Sequence, residues 1–378
     1  MNARQRLMAT LEGKPVDRPA VSFYEIGGFL VDPADPDPYN IYNAPSWQPL
    51  LRLAEEQTDV IRMGGIHGLP GMSRPGEDLF SQETWTEGDS RFTRTSVDVA
   101  GRTLTQLVRR DRGIDTIWTV EHLLKDAADL RAFLELPDAF FDRPEPDIAR
   151  LERLDEAIGD RGIVMVDTAD PIGEAAALFD LGTYILAAAL EPKLFHRLLE
   201  RYAAPIHRCT EHVASAFPGH LWRICGPEYA TEPYLPPALF DEYVVRYTEP
   251  MVRAIQRHGG YARIHCHGRI KSALPMIAGM GADGIDPIEP PPQGDVRLAD
   301  VRREYGRDLV LFGNIEVSDI ENLEPAAFRK VAEQAVREGT EGEGRGFVLM
   351  PTACPYGREI SARTLANYET LVDVVSQA

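Results

Sequence analysis

Several things are scarce or missing in this 378-residue chain, and each narrows its class. There are only four cysteines, Cys209, Cys225, Cys266 and Cys354, widely spaced and with no CxxC pair. They do not read as a disulfide framework, and a reducing compartment is expected. Positive charge is in deficit: 40 Lys and Arg stand against 59 Asp and Glu, a formal net charge of −19. Such a surface repels phosphate backbones and anionic lipids, and no basic run reverses it, so neither nucleic acid nor a membrane is an expected partner. No apolar run is long enough to span a bilayer; those around 185–190 are short and interrupted. Residues 1–6 lead into an amphipathic helical pattern and not into an apolar signal core, which points to the cytoplasm. No GxGxxG fingerprint follows an early strand, and GxxxxGK[ST] is missing, which weakens an open, doubly wound nucleotide-binding sheet. No short-period repeat is visible.

What is present is an ordinary globular composition, 44% hydrophobic and 26% charged. Runs with strand character lie at 20–25, 60–63, 163–167, 221–225, 263–267, 284–288, 309–314 and 347–350. Helical patterns separate them, notably at 192–216, 236–257, 298–305 and 325–338, and a last one covers 361–375. Eight β/α repeats predict a closed parallel (β/α)8 TIM barrel, an α/β fold forming a single domain over 1–378. Residues 83–119 break the rhythm by alternating Thr, Arg, Phe, Val and Leu around Val99-Ala100-Gly101-Arg102, the pattern of a β-hairpin. With the helices at 123–134 and 147–159, this is an excursion between strands two and three, at about 66–160.

Barrel enzymes carry their working groups in the loops after the strands. The fifth strand ends in Ile264-His265-Cys266-His267-Gly268. Side chains alternate along a strand, so His265 and His267 share a face and Cys266 takes the other. Cys354, where the eighth strand's apolar run ends, is a third candidate ligand. Two imidazoles and a thiolate suit zinc, with the fourth position open. Glu228, in Gly226-Pro227-Glu228, and Glu289, in a proline-stiffened Ile288-Glu289-Pro290 stretch, are the candidate catalytic carboxylates or a fourth ligand. Tyr24, Asp167, Asn314 and Tyr356, after strands one, three, seven and eight, are expected to contact a small-molecule substrate. Glu25, Asp170, Cys225, Glu232, Asp286 and Glu316 also fall at strand ends. For any one carboxylate the competing role is a helix cap or a loop hydrogen bond.

Four stretches, Gly13-Lys14-Pro15-Val16-Asp17-Arg18-Pro19, Ile264-His265-Cys266-His267-Gly268, Gly281-Ala282-Asp283-Gly284-Ile285-Asp286 and Gly313-Asn314-Ile315-Glu316, resemble the uroporphyrinogen decarboxylase superfamily. The resemblance runs over nearly the whole chain and implies a (β/α)8 barrel. True decarboxylases share an early Arg-Gln-Ala-Gly-Arg-Tyr segment that clamps substrate carboxylates; here the corresponding place reads Tyr24-Glu25-Ile26-Gly27-Gly28-Phe29, a departure that argues against porphyrin decarboxylation. The zinc-dependent, cobamide-linked methyltransferase branch is similar in using His-x-Cys and a distant Cys as zinc ligands. Its pattern falls on His265, His267 and Cys354, with His in place of the first Cys. The resemblance therefore implies a zinc-dependent methyltransferase moving a methyl group between a small methylated substrate or thiol and a corrinoid (cobalamin) carried by a partner protein. The alternative is a metal-dependent lyase, decarboxylase or hydrolase on the same barrel, acting without corrinoid. A third reading is a binding protein that kept the barrel and lost the chemistry.

Overall fold

The computed structural model describes residues 1–28, 32–66 and 76–378. Eight parallel strands make one curled sheet: β1 (Ala20–Val21), β2 (Val60–Gly65), β7 (Gly162–Ala169), β8 (Leu221–Cys225), β9 (Tyr261–His265), β10 (Gly284–Asp286), β11 (Val310–Ile315) and β12 (Phe347–Pro351). Their order is β1-β12-β11-β10-β9-β8-β7-β2, so successive strands lie side by side as in a TIM barrel.

Strand alternation creates two cores. Ile61 and Met63, Ile163 and Met165, Leu221, Val310 and Phe312, and Val348 and Met350 meet in one interior cluster. Leu7 and Leu11, from the helix Ala3–Leu11, join it. Residues of opposite parity, among them Val164, Trp222, Ile264, Ile285, Leu311 and Leu349, belong to a second core shared with the outer helices. Burying each of these large side chains contributes roughly 1.5–3 kcal/mol.

The sheet's two edges meet at a side chain. Asp59, immediately before β2, donates its backbone N–H to the carbonyl of Val21 at 2.7 Å, and its Oδ2 accepts the Val21 N–H at 3.0 Å. Arg6 and Arg18 complete the ring of donors on the same buried carboxylate.

Strand one is shorter than the sequence pattern predicts. Ala20 and Val21 pair with Val348 and Leu349, and after Ser22 the chain turns into a π-helical turn, Tyr24–Gly28. Tyr24 and Glu25 thus sit on a turn over the barrel mouth rather than at a strand end; Phe29 lies outside the described residues.

The excursion is more than a hairpin. β3 (Ser81–Glu87), β4 (Ser90–Val99), β5 (Arg102–Asp111) and β6 (Ile117–Glu121) form an antiparallel sheet in that order. Its centre is the expected hairpin, β4 and β5 joined at Ala100 and Gly101, both at positive φ. Val97 and Leu104 anchor it in the outer core. It reaches the loop after β12 through Asp115 N–H to the Tyr356 carbonyl, 2.7 Å, and Arg358 N–H to the Gly113 carbonyl, 2.9 Å. Among the described residues no helix is long and apolar enough to cross a membrane.

Candidate active site

All eight strands run the same way, so their carboxyl ends gather at one mouth. Below it, the interior alternation turns polar. Asp167 of β7 is in register with Arg223 of β8, and the two are paired at 2.9 Å. Arg223 is in register with Arg263 of β9, and His265 with both Cys225 and Asp286. Arg263 is fully buried, with its Nε 3.0 Å from Asp286 Oδ1 and its guanidinium stacked between the rings of Tyr24 and Phe312. The Tyr24 hydroxyl donates to Glu25 at 2.8 Å and lies 3.3 Å from Asp286 Oδ2.

The two histidines are prepared alike. Nδ1 of His265 is 2.8 Å from Asp286 Oδ2, and Nδ1 of His267 is 2.8 Å from Glu289 Oε1. Their rings lie edge to face, 4.6 Å between centroids, while Cys266 is buried in the outer core. With Nδ1 occupied, Nε2 is the nitrogen each ring has left to offer.

The chain around Glu289 is built for this contact. Ile288 takes φ +58°, unusual for a β-branched residue, and turns Glu289 back so that it also accepts the Gly268 N–H at 2.5 Å. β11 passes close beneath: a Cβ on Gly313, at φ +152°, would lie 2.1 Å from the Pro287 carbonyl oxygen. Across the mouth the chain turns at Gly226, φ +124°, where Glu228 Oε2 accepts the Gly226 N–H at 3.1 Å.

The electrostatics separate the two imidazoles. Burial, aided by the charge of Arg223, drives His265 down to about 3 against the pull of Asp286, so this ring is neutral. Burial opposes the proton on His267 as well, but its hydrogen bond to Glu289 and the charges of Glu289, Glu228 and Glu25 raise it to about 9. Burial disfavours the Asp286 carboxylate, yet Arg263 and His265 outweigh it and hold the group well below the usual range. Burial raises Glu25 and Glu228, and with the nearby charge of Glu289 it raises Glu316 to about 7.

The sequence-predicted residues therefore divide. His265, His267, Glu228, Glu289 and Tyr24 come together at the mouth, and Asp167 lies beneath them, tied to Arg223. Asn314 is buried on β11, in register with Met350. Cys354 is partly buried against the outer core; burial and the charges of Glu25 and Asp115 raise its thiol to about 12. Tyr356 stays 52% exposed, held through its backbone by Asp115. Among the described residues no three His, Cys, Asp or Glu side chains are gathered as a metal-holding group. Sequence reasoning missed Arg223 and Arg263. The available signal was parity, since both occupy the strand face that carries His265.

An eight-stranded parallel barrel with its ionisable groups concentrated where the strands end defines the class. The profile of the uroporphyrinogen decarboxylase (URO-D) family matches residues 118–376, and the chain belongs to that family. Among solved structures, a methyltransferase from Methanosarcina mazei superposes with a TM-score of 0.61, covering 100% of this chain and 99% of its own at 13% identity. At that identity the likeness concerns the fold. A D-psicose 3-epimerase, crystallised in the presence of D-fructose, gives a TM-score of 0.37 over 66% of this chain and 85% of its own at 11% identity, too low to carry an argument. No curated protein matches the chain.

Proposed function

We propose that this protein is a zinc-dependent methyltransferase that moves a methyl group between a small methylated substrate or thiol and a corrinoid carried by a partner protein. The observation that carries the reading is the pair of histidines on one wall of a URO-D-family barrel, each fixed through Nδ1 by its own carboxylate. That is the arrangement in which imidazole serves as a metal ligand. Two donors of the set thus fit zinc; His265 and His267 would hold it, with Cys354 as the thiolate from the loop after β12. When bound, zinc supplies Lewis-acid activation of a thiol, ether, hydroxyl or phenolic oxygen, and the corrinoid supplies or accepts the methyl group.

The chain's own residues have separable tasks. Asp286 fixes the ring of His265 and, being paired with Arg263, stays ionised. Glu289 does the same for His267 and is a positioning residue. Glu228, which among the described residues has no cation at ion-pair distance, is the group that moves a proton at the reacting heteroatom. The Arg223–Asp167 pair forms the floor.

The test is methyl transfer followed by the absorbance change between methylcobalamin and reduced cobalamin, with a thiol or methylated donor, in wild type and His265→Ala. Zinc-dependent transfer lost in the variant supports the reading. Turnover of a substrate with metal alone and no cobalamin would replace it with a lyase or hydrolase.

A further inference from the structure

The two edges of the four-stranded antiparallel sheet are built differently. β3, at one edge, reads Ser81-Gln82-Glu83-Thr84-Trp85-Thr86-Glu87, the polar and charged composition that keeps a free edge from pairing. Its one large apolar side chain, Trp85, stacks on Phe92 at 5.5 Å and is covered by the Arg94 guanidinium at 5.3 Å. β6, at the other edge, reads Ile117-Trp118-Thr119-Val120-Glu121, and its Ile117, Trp118 and Val120 are 61, 45 and 54% exposed. Among the described residues Trp118 has neither kind of cover, and no backbone group of β6 is bonded on the side away from β5.

Register sets Trp85, Phe92, Arg109 and Trp118 opposite one another in a row across the four strands. Val97, which anchors the sheet in the outer core, has the other parity on β4, so the row lies on the face turned away from the barrel. An unpaired edge ending in an uncovered tryptophan is matched by another extended strand. Charge and area indicate whose. At a net charge of −19 two copies of the chain repel, but Glu121 is the only charge on β6 and Lys125 neutralises it at 2.9 Å, so two such strands meet without repulsion. Five residues bury far less than the roughly 800 Å² a side of a stable interface. Beyond β6, however, the Leu124 N–H bonds the Leu178 carbonyl at 2.9 Å, and the helix that follows, Leu181–Leu190, exposes Leu181, Leu186 and Leu190. A lone peptide strand would cover β6 only; a second copy brings strand and helix together.

We propose that this face is the interface of a homodimer. β6 of one copy lies antiparallel to β6 of the other about a two-fold axis, joining the two four-stranded sheets into one, and the helix Leu181–Leu190 of each copy completes the buried surface. The interface uses neither the histidines nor the carboxylates of the barrel mouth, so it stands apart from the methyl-transfer reading.

Sedimentation equilibrium of the full chain, with hydrogen exchange at the same concentrations, tests it. Wild type is expected at twice the 42.1 kDa of one chain. In that dimer the amides of β6 should exchange as slowly as those of the central strands β4 and β5, while those of the free edge β3 exchange fast. Trp118→Lys puts on β6 the kind of charge that free edges carry, and Leu186→Glu puts one on the helix. Each should weaken the dimer at least about tenfold with the circular dichroism spectrum unchanged, whereas Thr84→Lys on β3 should leave it as it is. A wild type that is monomeric at every concentration, a dimer whose β6 amides exchange as fast as those of β3, or a dimer that Trp118→Lys or Leu186→Glu leaves intact would overturn the proposal. So would β6 amides that are slowed only when an extended peptide or a different protein is added. The mass and exchange measurements need the wild type alone and decide the question even where a variant fails to fold.

Discussion

His265 Nδ1 lies 2.8 Å from Oδ2 of Asp286, its register partner on the neighbouring strand, and Asp286 in turn sits 3.0 Å from the fully buried Arg263, two residues before that histidine. One carboxylate therefore neutralises a guanidinium in the barrel interior and aims an imidazole at the mouth. Asp286→Ala should do two kinds of damage. Leaving Arg263 buried and unpaired should cost about 3–5 kcal/mol in urea unfolding. Releasing the His265 ring should lower zinc affinity about 10- to 100-fold in a chelator competition. Wild-type values for both would show that the contact does neither.

The seam of the barrel makes a second prediction. Asp59 holds Val21 through two hydrogen bonds and carries Arg6 and Arg18 on the same buried carboxylate. Asp59→Ala removes the acceptor shared by Val21, Arg6 and Arg18 and leaves Arg6 with Asp17 as its remaining carboxylate, so unfolding free energy should fall by about 1–3 kcal/mol. The site lies at the opposite end of the strands, so the residual folded protein should bind zinc as the wild type does. A urea midpoint equal to that of the wild type would count against this description of the seam.

Asp170 gives a pH dependence. It is fully buried, with Oδ1 accepting the Gly173 N–H at 2.8 Å and Oδ2 the Thr248 hydroxyl at 3.1 Å. Burial, reinforced by the charge of Glu228 against these hydrogen bonds, raises it to about 8. An unfolded aspartate titrates near 4, so the folded state holds the extra proton between the two values; this contribution to stability is complete below about 4 and is lost as pH rises through about 8. Asp170→Asn keeps an acceptor for Gly173 and cannot ionise. Its stability relative to wild type should improve from about pH 5 to pH 9, by on the order of 4 kcal/mol. Parallel stability curves for the two proteins would contradict this.

Much of this was legible from the residues alone. The parity of His265, Cys266 and His267 predicted one face for the imidazoles and the other for the thiol, and Cys266 lies in the outer core as that parity requires. The eight strands follow from β-branched runs separated by amphipathic helices, and β8 and the helix Pro192–Ala216 have the predicted bounds. The flanking strands of the excursion were not legible. Ser81–Glu87 is almost wholly exposed and polar, and Ile117–Glu121 leaves its apolar side chains Ile117, Trp118 and Val120 exposed. Nor was the turn at Tyr24–Gly28, because Val21-Ser22-Phe23-Tyr24 has strand composition and only the two paired residues on β12 decide where the strand stops. Arg223 and Arg263 escaped for a related reason. A charged residue within a strand ordinarily marks a solvent-facing position, and only the closure of the sheet, together with Asp167 and Asp286, makes an interior arginine tolerable.

The central claim is that His265 and His267, with Cys354, hold zinc at the mouth of this barrel, and elemental mass spectrometry of freshly purified protein tests it most directly. Wild type should carry about one zinc per chain, and His265→Ala and Cys354→Ala should each lose it while remaining folded. A wild-type protein that stays metal-free after reconstitution with zinc, or a His265→Ala variant that keeps its full zinc content, would contradict the account.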